Sequence, residues 1–538
     1  MIGASRHDVV ILGGGLAGLT LALQLRQRLP DLDVLVLERR PHPVPVSAHK
    51  VGESSVEIAA EYFGRVLGLE EELKRTQLKK FGFRFFFSDG ARSLADVTEL
   101  GASRYLSTPS WQIDRGIFEN DLGTIAQARG VRFRDRAFVR TIELGEDDGA
   151  EHRVAWDGTD GPHVAHARWL VDASGRAGLL KRKLGLAEGN AHDANAVWFR
   201  IGARIDVDEW SDDARWRARC DPPSRWLSTI HLVGEGYWVW LIPLASGSHS
   251  VGIVADESHY PLETLNTFDK AMAWLARHQP QLHADLEGKR DRLQDFAFFR
   301  RFSYGCRQVY NGHRRWALTG EAGLFLDPFY SPGSDFIAIS NTYVTDLIAQ
   351  DRAGAPVAPY ADLYQRIYFS FYDAMLPLYT GQYGLFGDPE VLPAKVLWDY
   401  AYYWGVMCQL FFQRRLTDLP TLGRIQKPLA RVRNVNAALQ GFFRAWSAKS
   451  ARRNPPCMLD QASLPWFAEL NRGLRDTFDD RAFDSRMAGA FAQLDRLALQ
   501  IVGRAREAHP GLDGGPVLEL LGADAVAGDE SMLFPAAR

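Results

Sequence analysis

In Val9-Val10-Ile11-Leu12-Gly13-Gly14-Gly15-Leu16-Ala17-Gly18, a short apolar run leads directly into the pattern Gly-x-Gly-x-x-Gly. An amphipathic helical pattern follows at once, from Leu19 to Leu29, and a second apolar run, Val34 to Leu37, ends in Glu38. A strand, a glycine fingerprint, a helix, a strand and an acid in this order predict a β-α-β unit that binds a dinucleotide. The alternative is an ordinary glycine-rich turn between a strand and a helix.

Each fingerprint glycine has a separate expected role. Gly13 allows the tight turn, Gly15 lets backbone N–H groups approach a pyrophosphate, and Gly18 lets the helix pack close to the strand. The helix N-terminus adds partial positive charge for the phosphates. Glu38 lies 20 residues after Gly18, which is the spacing of an acid that accepts a hydrogen bond from a ribose hydroxyl.

Length and composition are those of an ordinary globular protein. The chain has 538 residues, 46% hydrophobic and 24% charged, which is enough for two or three domains. The net charge of −3 argues against a dedicated nucleic-acid binder, which is usually strongly basic. The four cysteines are scattered without a Cys-x-x-Cys pair, and no stretch has the 18 apolar residues of a spanning helix. We therefore expect a cytoplasmic protein with no metal site.

The fold class predicted from the patterns is α/β (α+β). Residues 1–190 alternate strands and helices and form a Rossmann-like, cofactor-binding part. Residues 191–305 contain runs separated by Gly or Asp turns, which are typical of an inserted antiparallel sheet that contacts substrate. Residues 306–345 return to the first part through Arg315-Trp316-Ala317-Leu318 and a glycine-rich turn. Residues 346–538 are mainly helical and form a C-terminal cap.

Three further motifs follow the fingerprint in chain order. They are Gly52-Glu53-Ser54, Trp238-Val239-Trp240-Leu241-Ile242-Pro243 and Phe325-Leu326-Asp327-Pro328-Phe329-Tyr330-Ser331-Pro332-Gly333. Together with the fingerprint, this set resembles the flavin-dependent halogenases, whose Trp-x-Trp-x-Ile-Pro signature is matched at every defined position. The resemblance covers about residues 6 to 345 and implies that the fingerprint holds FAD, not NAD.

The resemblance implies a set of cofactor-binding residues. Arg115 matches the family's helix-borne arginine that reaches the cofactor phosphates, with a surface ion pair as the alternative. Glu321 stands where related flavoproteins usually carry Asp beside the ribityl chain. The residues expected to bind FAD are Gly13, Gly15, Ala17, Gly18, Glu38, Arg39, Gly52, Glu53, Ser54, Arg115, Glu321, Pro328 and Gly333.

The chemistry implied by the family uses FADH2 from a separate flavin reductase, dioxygen and a chloride or bromide ion. The resulting hypohalous acid passes to a lysine, which directs electrophilic halogen to an electron-rich ring. Lys80 matches that lysine and is expected to be buried with a lowered pKa. Lys79 and Lys50 are minor candidates, and a solvated Lys80 in a basic turn is the alternative interpretation. Trp238 and Trp240 are expected to wall the flavin, or else to be ordinary sheet core.

Two positions depart from the tryptophan-halogenase pattern. Tyr330 replaces a Glu, which favours the phenol- and pyrrole-type branch. Pro332 occupies the middle of the turn that binds halide through backbone N–H groups, and proline has no N–H. Ser331, Gly333 and Ser334 are the remaining halide candidates. A non-halogenating FAD-dependent monooxygenase of the same fold is therefore the alternative function.

The segment from Arg414 to Arg453 carries ten basic residues and a single acid, Asp418. Such an excess could dock an acidic carrier protein that bears a tethered aromatic substrate. It could also lie on an anionic membrane surface, which we favour less, or be a solvated helical face. The substrate is expected to be an electron-rich aromatic or conjugated molecule, free or carrier-bound.

Overall fold

The computed structural model describes residues 4–47, 51–146, 149–522 and 530–535. The minor candidate Lys50 lies outside these residues. None of the helices in the described ranges is both long enough and apolar enough to cross a membrane.

The strands of the described residues are numbered in chain order. They are β1 Ala4–Leu12, β2 Val34–Leu37, β3 Leu78–Lys79, β4 Phe83–Phe87, β5 Glu99–Gly101, β6 Trp111–Gln112, β7 Arg132–Arg134, β8 Phe138–Glu143, β9 His152–Gly158, β10 Gly161–Asp172, β11 Ala187–Glu188, β12 Ala194–Ile201, β13 Thr229–Gly234, β14 Tyr237–Pro243, β15 His249–Asp256, β16 Leu293–Phe299, β17 Gly305–Cys306, β18 Tyr310–Asn311, β19 Trp316–Leu318 and β20 Met458–Asp460.

The α-helices are numbered in the same way, and π-helical turns occur at Tyr62–Val66 and Tyr403–Cys408. The helices are α1 Leu16–Arg28, α2 Glu57–Glu61, α3 Glu70–Thr76, α4 Arg115–Ala128, α5 Leu179–Lys183, α6 Ala214–Arg217, α7 Phe268–His278, α8 Pro280–Glu287, α9 Gly333–Arg352, α10 Ala358–Met375, α11 Leu392–Tyr402, α12 Gln409–Phe412, α13 Leu419–Ser447, α14 Pro465–Arg472, α15 Asp480–Ala508 and α16 Gly515–Leu521.

The first of two compact units comprises the described residues within 1–77, 113–191 and 302–373. Its sheet has the main order β18-β19-β10-β1-β2-β7, and β8 and β9 extend it beside β10. Strand β1 lies parallel to both β2 and β10. Its apolar run is buried on both faces, as is typical of strands in a parallel sheet. The predicted β-α-β unit is therefore present, with Val9–Leu12 opposite Val34–Leu37.

A buried polar group connects helices α1 and α9 in this unit. Asn341 on α9 donates from Nδ2 to the carbonyl of Ala17 at 3.2 Å, and it lies 3.1 Å from both Thr20 Oγ1 and Tyr62 Oη. Because an amide left without partners in a core is costly, these hydrogen bonds define how the two helices meet. They place the middle of α9 beside the first turns of the fingerprint helix.

The second unit comprises the described residues within 78–112, 192–301 and 374–538. Its sheet has the order β16-β12-β15-β14-β13-β4-β5-β20. One face carries a hydrophobic core of mostly aliphatic and some aromatic side chains, which residues of α7 and α8 cover. The other face carries side chains that we call the aromatic layer, namely Phe83, Phe85, His231, Trp238 and Trp240.

The sequence patterns group residues 78–112 with the cofactor-binding part. In the structure, β4 and β5 of this segment hydrogen-bond into the second sheet, and β3 pairs with β6 in a separate two-stranded sheet. Strand β4 lies parallel to β13, with Phe85 opposite His231, and antiparallel to β5. The aromatic run 83–87 is buried throughout because both faces of β4 are covered. The mixed α/β class predicted from the sequence is confirmed, and the antiparallel strands β12 to β15 lie close to the predicted runs.

Candidate functional site

The turn after β1 has room only for glycine. Gly13 has φ 112°, and a Cβ there would lie 2.4 Å from the carbonyl oxygen of Ala173. A Cβ on Gly18 would lie 2.0 Å from the oxygen of Gly13, so α1 packs directly on the turn. Both glycines are thus required by the close approach of backbone to backbone, as the fingerprint predicts.

Gly15, by contrast, faces open space at the start of α1. The nearest heavy atom to an added Cβ is Glu119 Oε1, at 3.9 Å. The first N–H groups of α1 point toward this space, because an α-helix leaves its first four donors without internal partners. The residues therefore form a cradle of the shape and polarity that a diphosphate requires.

Glu38 lies at the end of β2 beside this cradle. Its Oε2 accepts from the backbone N–H of Gly14 at 2.7 Å, and its Oε1 accepts from Arg40 N–H at 2.8 Å. Each carboxylate oxygen retains a further lone pair, so the predicted bond to a ribose hydroxyl is compatible with these contacts. Arg39, the neighbouring candidate, is exposed.

Arg115 is the first residue of α4 and is held from two sides. Its Nη1 donates to the carbonyl of Val51 at 2.8 Å, and its Nε donates to Glu119 at 3.0 Å. Gly52, with φ 87°, passes so close that an added Cβ would lie 3.0 Å from Arg115 Nη1. Burial lowers the pKa of Arg115, whereas the carboxylates of Glu321 and Glu53 raise it. Arg115 is half-buried and forms an ion pair with Glu119, and its contact with the cofactor phosphates stays a prediction.

The Gly52-Glu53-Ser54 segment is fixed to the start of α4. The carbonyl of Glu53 accepts from Ile113 N–H at 2.7 Å, and the side chains of Glu53 and Ser54 are buried. The turn at Gly320 also approaches the fingerprint helix, because a Cβ on Gly320 would lie 3.0 Å from the Cβ of Ala17. The Gly52-Glu53-Ser54 segment therefore lies beside the start of α4 and the Gly320 turn lies beside α1, and FAD binding by these residues stays a prediction.

The Gly320–Gly323 turn is held by side chains that the sequence interpretation did not single out. Arg176 Nε lies 3.0 Å from Glu321 Oε2, and Tyr304 Oη donates to the carbonyl of Glu321 at 2.7 Å. Lys181 Nζ donates to the carbonyl of Gly323 at 3.0 Å and lies 4.0 Å from the Tyr304 ring centroid. Burial lowers the pKa of Lys181.

In the second unit, Lys80 follows β3 and is buried. Its backbone N–H donates to the carbonyl of Ser110 at 2.9 Å, and its Nζ lies 3.5 Å from the centroid of the Phe83 ring. The adjacent Lys79 is exposed, with Nζ 4.7 Å from the Tyr105 ring. The two lysines thus differ in environment, and Lys80 is the one that contacts the aromatic layer.

Trp238 and Trp240 are neighbours on one face of β14. Trp238 stacks on His231 with centroids 5.1 Å apart, and its Nε1 donates to Tyr383 Oη at 3.2 Å. Trp240 covers Gly252 of β15 so closely that an added Cβ there would lie 2.1 Å from the indole. Both tryptophans are buried in the aromatic layer, and their role toward the flavin stays a prediction.

Comparisons with known proteins agree with this geometry. A family model described as an FAD binding domain matches residues 6–249. The flavin-dependent halogenase chlA of Dictyostelium discoideum is 25% identical over 372 residues, which are 64% of this chain and 60% of that protein. A brominase of 1H-pyrrole-2-carbonyl peptidyl-carrier protein from Pseudoalteromonas luteoviolacea is 26% identical over 347 residues, 64% of this chain and 77% of that protein.

A solved structure, halogenase PltM in complex with phloroglucinol and FAD, has the same fold. Its TM-score is 0.65 at 19% identity, over 94% of this chain and 99% of that chain. The chain is thus similar to flavin-dependent halogenases, and its residues 6–249 match an FAD binding domain. The dinucleotide of the fingerprint is therefore FAD. The alignment with chlA spans only 60% of its length.

The turn predicted to bind halide precedes α9, and it offers fewer backbone N–H donors than the three candidates Ser331, Gly333 and Ser334 suggest. Ser331 has φ 55°, and its N–H donates to the carbonyl of Pro328 at 2.9 Å. Pro332 immediately precedes the helix and has no N–H. Gly333 and Ser334 therefore supply the first-turn N–H groups of α9, which have no acceptor within the helix.

Two buried side chains, Asp335 and Tyr330, lie at this turn. Asp335, in the first turn of α9, is buried and accepts from Ala59 N–H at 2.8 Å. Its negative charge offsets part of the positive end of the helix, where a halide would bind. Tyr330 is buried against Phe329, with ring centroids 4.8 Å apart.

The basic segment 414–453 has acidic partners that are distant in sequence. On α15, Asp484 pairs with Arg424 at 3.0 Å and Asp495 pairs with Arg431 at 2.8 Å. Other pairs are Arg415–Asp480, Arg452–Glu235 and Arg453–Glu390. These contacts account for much of the local charge within the second unit, and binding of a partner by this segment stays a prediction.

Proposed function

We propose that the protein is an FAD-dependent halogenase that acts on an electron-rich aromatic substrate. The observation that carries this proposal is the environment of Lys80, whose Nζ lies over the Phe83 ring beside an aromatic layer that contains Trp238 and Trp240. The match to an FAD binding domain, the similarity to flavin-dependent halogenases and the fingerprint geometry support FAD as the cofactor. When bound as FADH2, FAD supplies the activation of dioxygen that oxidises halide.

The chain's own residues would then direct the oxidant. The Lys80 ammonium donates a hydrogen bond to hypohalous acid, and the surrounding rings exclude water that would otherwise consume it. At the ring carbon a carbon–halogen bond forms as the oxygen–halogen bond breaks. The ring proton and the departing hydroxide together give water, so the reaction converts an arene and hypohalous acid to a haloarene and water.

The relatives suggest two kinds of substrate. One relative is named for a pyrrole carried by a peptidyl-carrier protein, and one solved neighbour holds phloroglucinol. We propose a phenol- or pyrrole-like ring, free or tethered to a carrier protein, with FADH2 delivered by a separate reductase. Tyr330 supports this branch, since its aromatic ring replaces the Glu of tryptophan halogenases.

The test uses purified protein with FAD, a flavin reductase, NADH, dioxygen and bromide or chloride. The substrate panel contains free phenols, indoles and pyrroles and one pyrrole loaded on a carrier protein, and products are identified by mass spectrometry. Halogenated product that requires both halide and active reductase is expected. A panel in which every substrate stays unhalogenated would overturn the proposal.

A second candidate function is an FAD-dependent monooxygenase that inserts oxygen without using halide. The turn at Ser331 and Pro332 favours it specifically, because one N–H is used inside the turn and the other does not exist. Hydroxylated product that forms equally in the presence and absence of halide would support this candidate.

A further inference from the structure

A buried carboxylate lies at the start of the FAD-binding helix. Glu119 is 2% exposed, and its Oε1 accepts from Leu16 N–H at 3.3 Å, in the first turn of α1. The same oxygen accepts from Arg115 Nε at 3.0 Å and Nη2 at 2.5 Å. It is also the atom nearest to the open space in front of Gly15.

Glu119 thus accepts hydrogen bonds from Leu16 N–H and Arg115, which are donors that a bound diphosphate would use. A helix N-terminus and an arginine normally give such a site a net positive charge, which attracts phosphate. Here the carboxylate neutralises Arg115 and occupies a first-turn N–H of α1. The carboxylates of Glu53 and Glu321 also act on Arg115. Among the described residues, the cradle therefore combines the shape of a diphosphate site with carboxylates that offset the positive charge of Arg115.

We propose that Glu119 lowers the affinity of this site for the FAD diphosphate, so that FAD exchanges readily with flavin in solution. The carboxylate competes with the phosphates for Leu16 N–H and Arg115. Fast exchange is useful if reduced flavin arrives from a separate reductase, and this benefit rests on the proposed function. The effect on affinity follows from the contacts at α1 and α4 and does not depend on halogenation.

The substitution Glu119→Gln isolates the charge from the geometry. A Gln oxygen can accept from the same N–H groups, so Arg115 keeps a partner while the negative charge is removed. The matched control is Glu71→Gln, because Glu71 is an exposed glutamate on α3 of the same unit.

The dissociation constant of oxidised FAD is measured by fluorescence titration of the full chain, without halide or substrate. We expect Glu119→Gln to tighten FAD binding about tenfold, as removal of one opposing charge at a helix N-terminus implies. Glu71→Gln should bind FAD like the unsubstituted protein. Unchanged or weaker FAD binding by Glu119→Gln would overturn the proposal, because Glu119 would then only position Arg115.

Two further measurements keep the result interpretable. ADP, which carries the diphosphate, should also bind more tightly to Glu119→Gln, whereas riboflavin, which lacks it, should not. Equal tightening of riboflavin would contradict the proposal. If Glu119→Gln does not fold, as judged by circular dichroism, Glu119→Asp replaces it. The shorter acid withdraws from Leu16 N–H, so we expect FAD to bind severalfold more tightly, and unchanged binding would count against the proposal.

Discussion

Pro332 determines how many backbone donors the turn before α9 can offer. Its φ of −74° and ψ of −12° suit any residue, so Pro332→Ser restores an N–H without forcing the backbone. We expect the KM for bromide to fall about three- to tenfold, as one added hydrogen bond to an anion implies. The halide dependence of product formation provides the measurement.

The matched control for this change is Pro356→Ser. Pro356 is exposed and lies before α10 in the same unit, outside the halide turn. It should leave the halide dependence unaltered. If Pro332→Ser behaves like the control, the backbone donors at this turn do not limit halide binding.

Lys80 provides a second prediction at the scale of single residues. Lys80→Met keeps a long apolar side chain over Phe83 but removes the ammonium, so we expect at least a hundredfold loss of halogenation with oxidation of FADH2 retained. Product is measured by mass spectrometry and flavin oxidation by absorbance. The exposed neighbour supplies the control, and Lys79→Met should retain activity. Halogenation by Lys80→Met at the normal rate would remove Lys80 from the mechanism.

Single residues also mark how far the sequence could be interpreted. Gly13 and Gly18 could be predicted because only glycine fits at either position. Gly13 has a positive φ, both approach other backbone atoms closely, and their spacing in the sequence is that of the fingerprint. Glu119 was missed, although its position four residues after Arg115 predicts a pair on one helical face. That the same oxygen also reaches Leu16 could not be predicted, because it depends on how α4 packs on α1.

Among the elements, β4 and β5 are joined by a buried ionic network. Glu99 on β5 pairs with Arg84 on β4 and with Arg225, whose Nε lies 2.8 Å from Glu99 Oε1. Arg225 also pairs with Asp208 at 2.7 Å. Burial alone would raise the pKa of Glu99, but Arg84 and Arg225 hold it below its ordinary value. The charge on Glu99 is therefore required for the network.

Removing that charge should destabilise the second unit. Glu99→Gln leaves two buried guanidinium groups short of one negative charge, and we expect a loss of about 3–5 kcal/mol in the free energy of unfolding. Urea unfolding followed by circular dichroism provides the measurement. Glu263→Gln, which alters an exposed pair with Arg300, should leave the unfolding midpoint unchanged. Equal midpoints for the two variants would show that the network contributes no net stability.

The local sequence pattern was sufficient to predict the strands β14 and β15, but it does not show which strands pair. The runs 237–243 and 249–255, which are separated from their neighbours by Gly or Asp turns, predicted β14 and β15. In residues 81–87, alternation and aromatic content also predict a strand. They do not assign it to a sheet, because its partner β13 comes from residues 229–234. Strand β20 has three residues and no periodicity to detect.

At the scale of the whole molecule, the number of basic residues in the segment 414–453 does not predict how much positive charge this segment exposes. Three ion pairs of the segment 414–453 are made with α15, which follows the segment and α14 in the chain, and others are made with Glu235, Asp388 and Glu390. Charge runs are usually interpreted from neighbours along the chain, and those neighbours include only Asp418. The folded chain supplies the missing carboxylates, so the sequence alone overstates the exposed positive charge.

The buried residue His249 should make the free energy of unfolding of the whole chain depend on acid pH. Burial lowers the pKa of His249 to about 3, and its Nδ1 accepts from Ile205 N–H at 3.1 Å. The unfolded chain takes up this proton near pH 6.5 and the folded chain does not. Because the unfolded chain binds this proton below pH 6.5 and the folded chain does not, the free energy of unfolding is unaffected above pH 6.5. It falls by roughly 1.4 kcal/mol per pH unit as the pH decreases from 6.5 toward 3.

The free energy of unfolding in urea, measured between pH 7 and pH 4, tests this expectation. His249→Gln keeps an acceptor for Ile205 N–H but cannot titrate, so its stability should fall less steeply with acid. His259→Gln changes an exposed histidine and should follow the unsubstituted protein. Parallel curves for all three proteins would contradict the assignment to His249.

The short strand β20 affects how the chain is made. Its residue Asp460 hydrogen-bonds to Ser103 across 357 positions of sequence, and Met458 lies opposite Glu99 of β5. A ribosome therefore releases β4 and β5 long before β20 exists, and during this interval the outer edge of β5 has its N–H and C=O groups unpaired. An open edge of this kind is where nascent chains join one another. Translation past residue 460 closes that edge, so a chain that terminates earlier has a sheet open to aggregation.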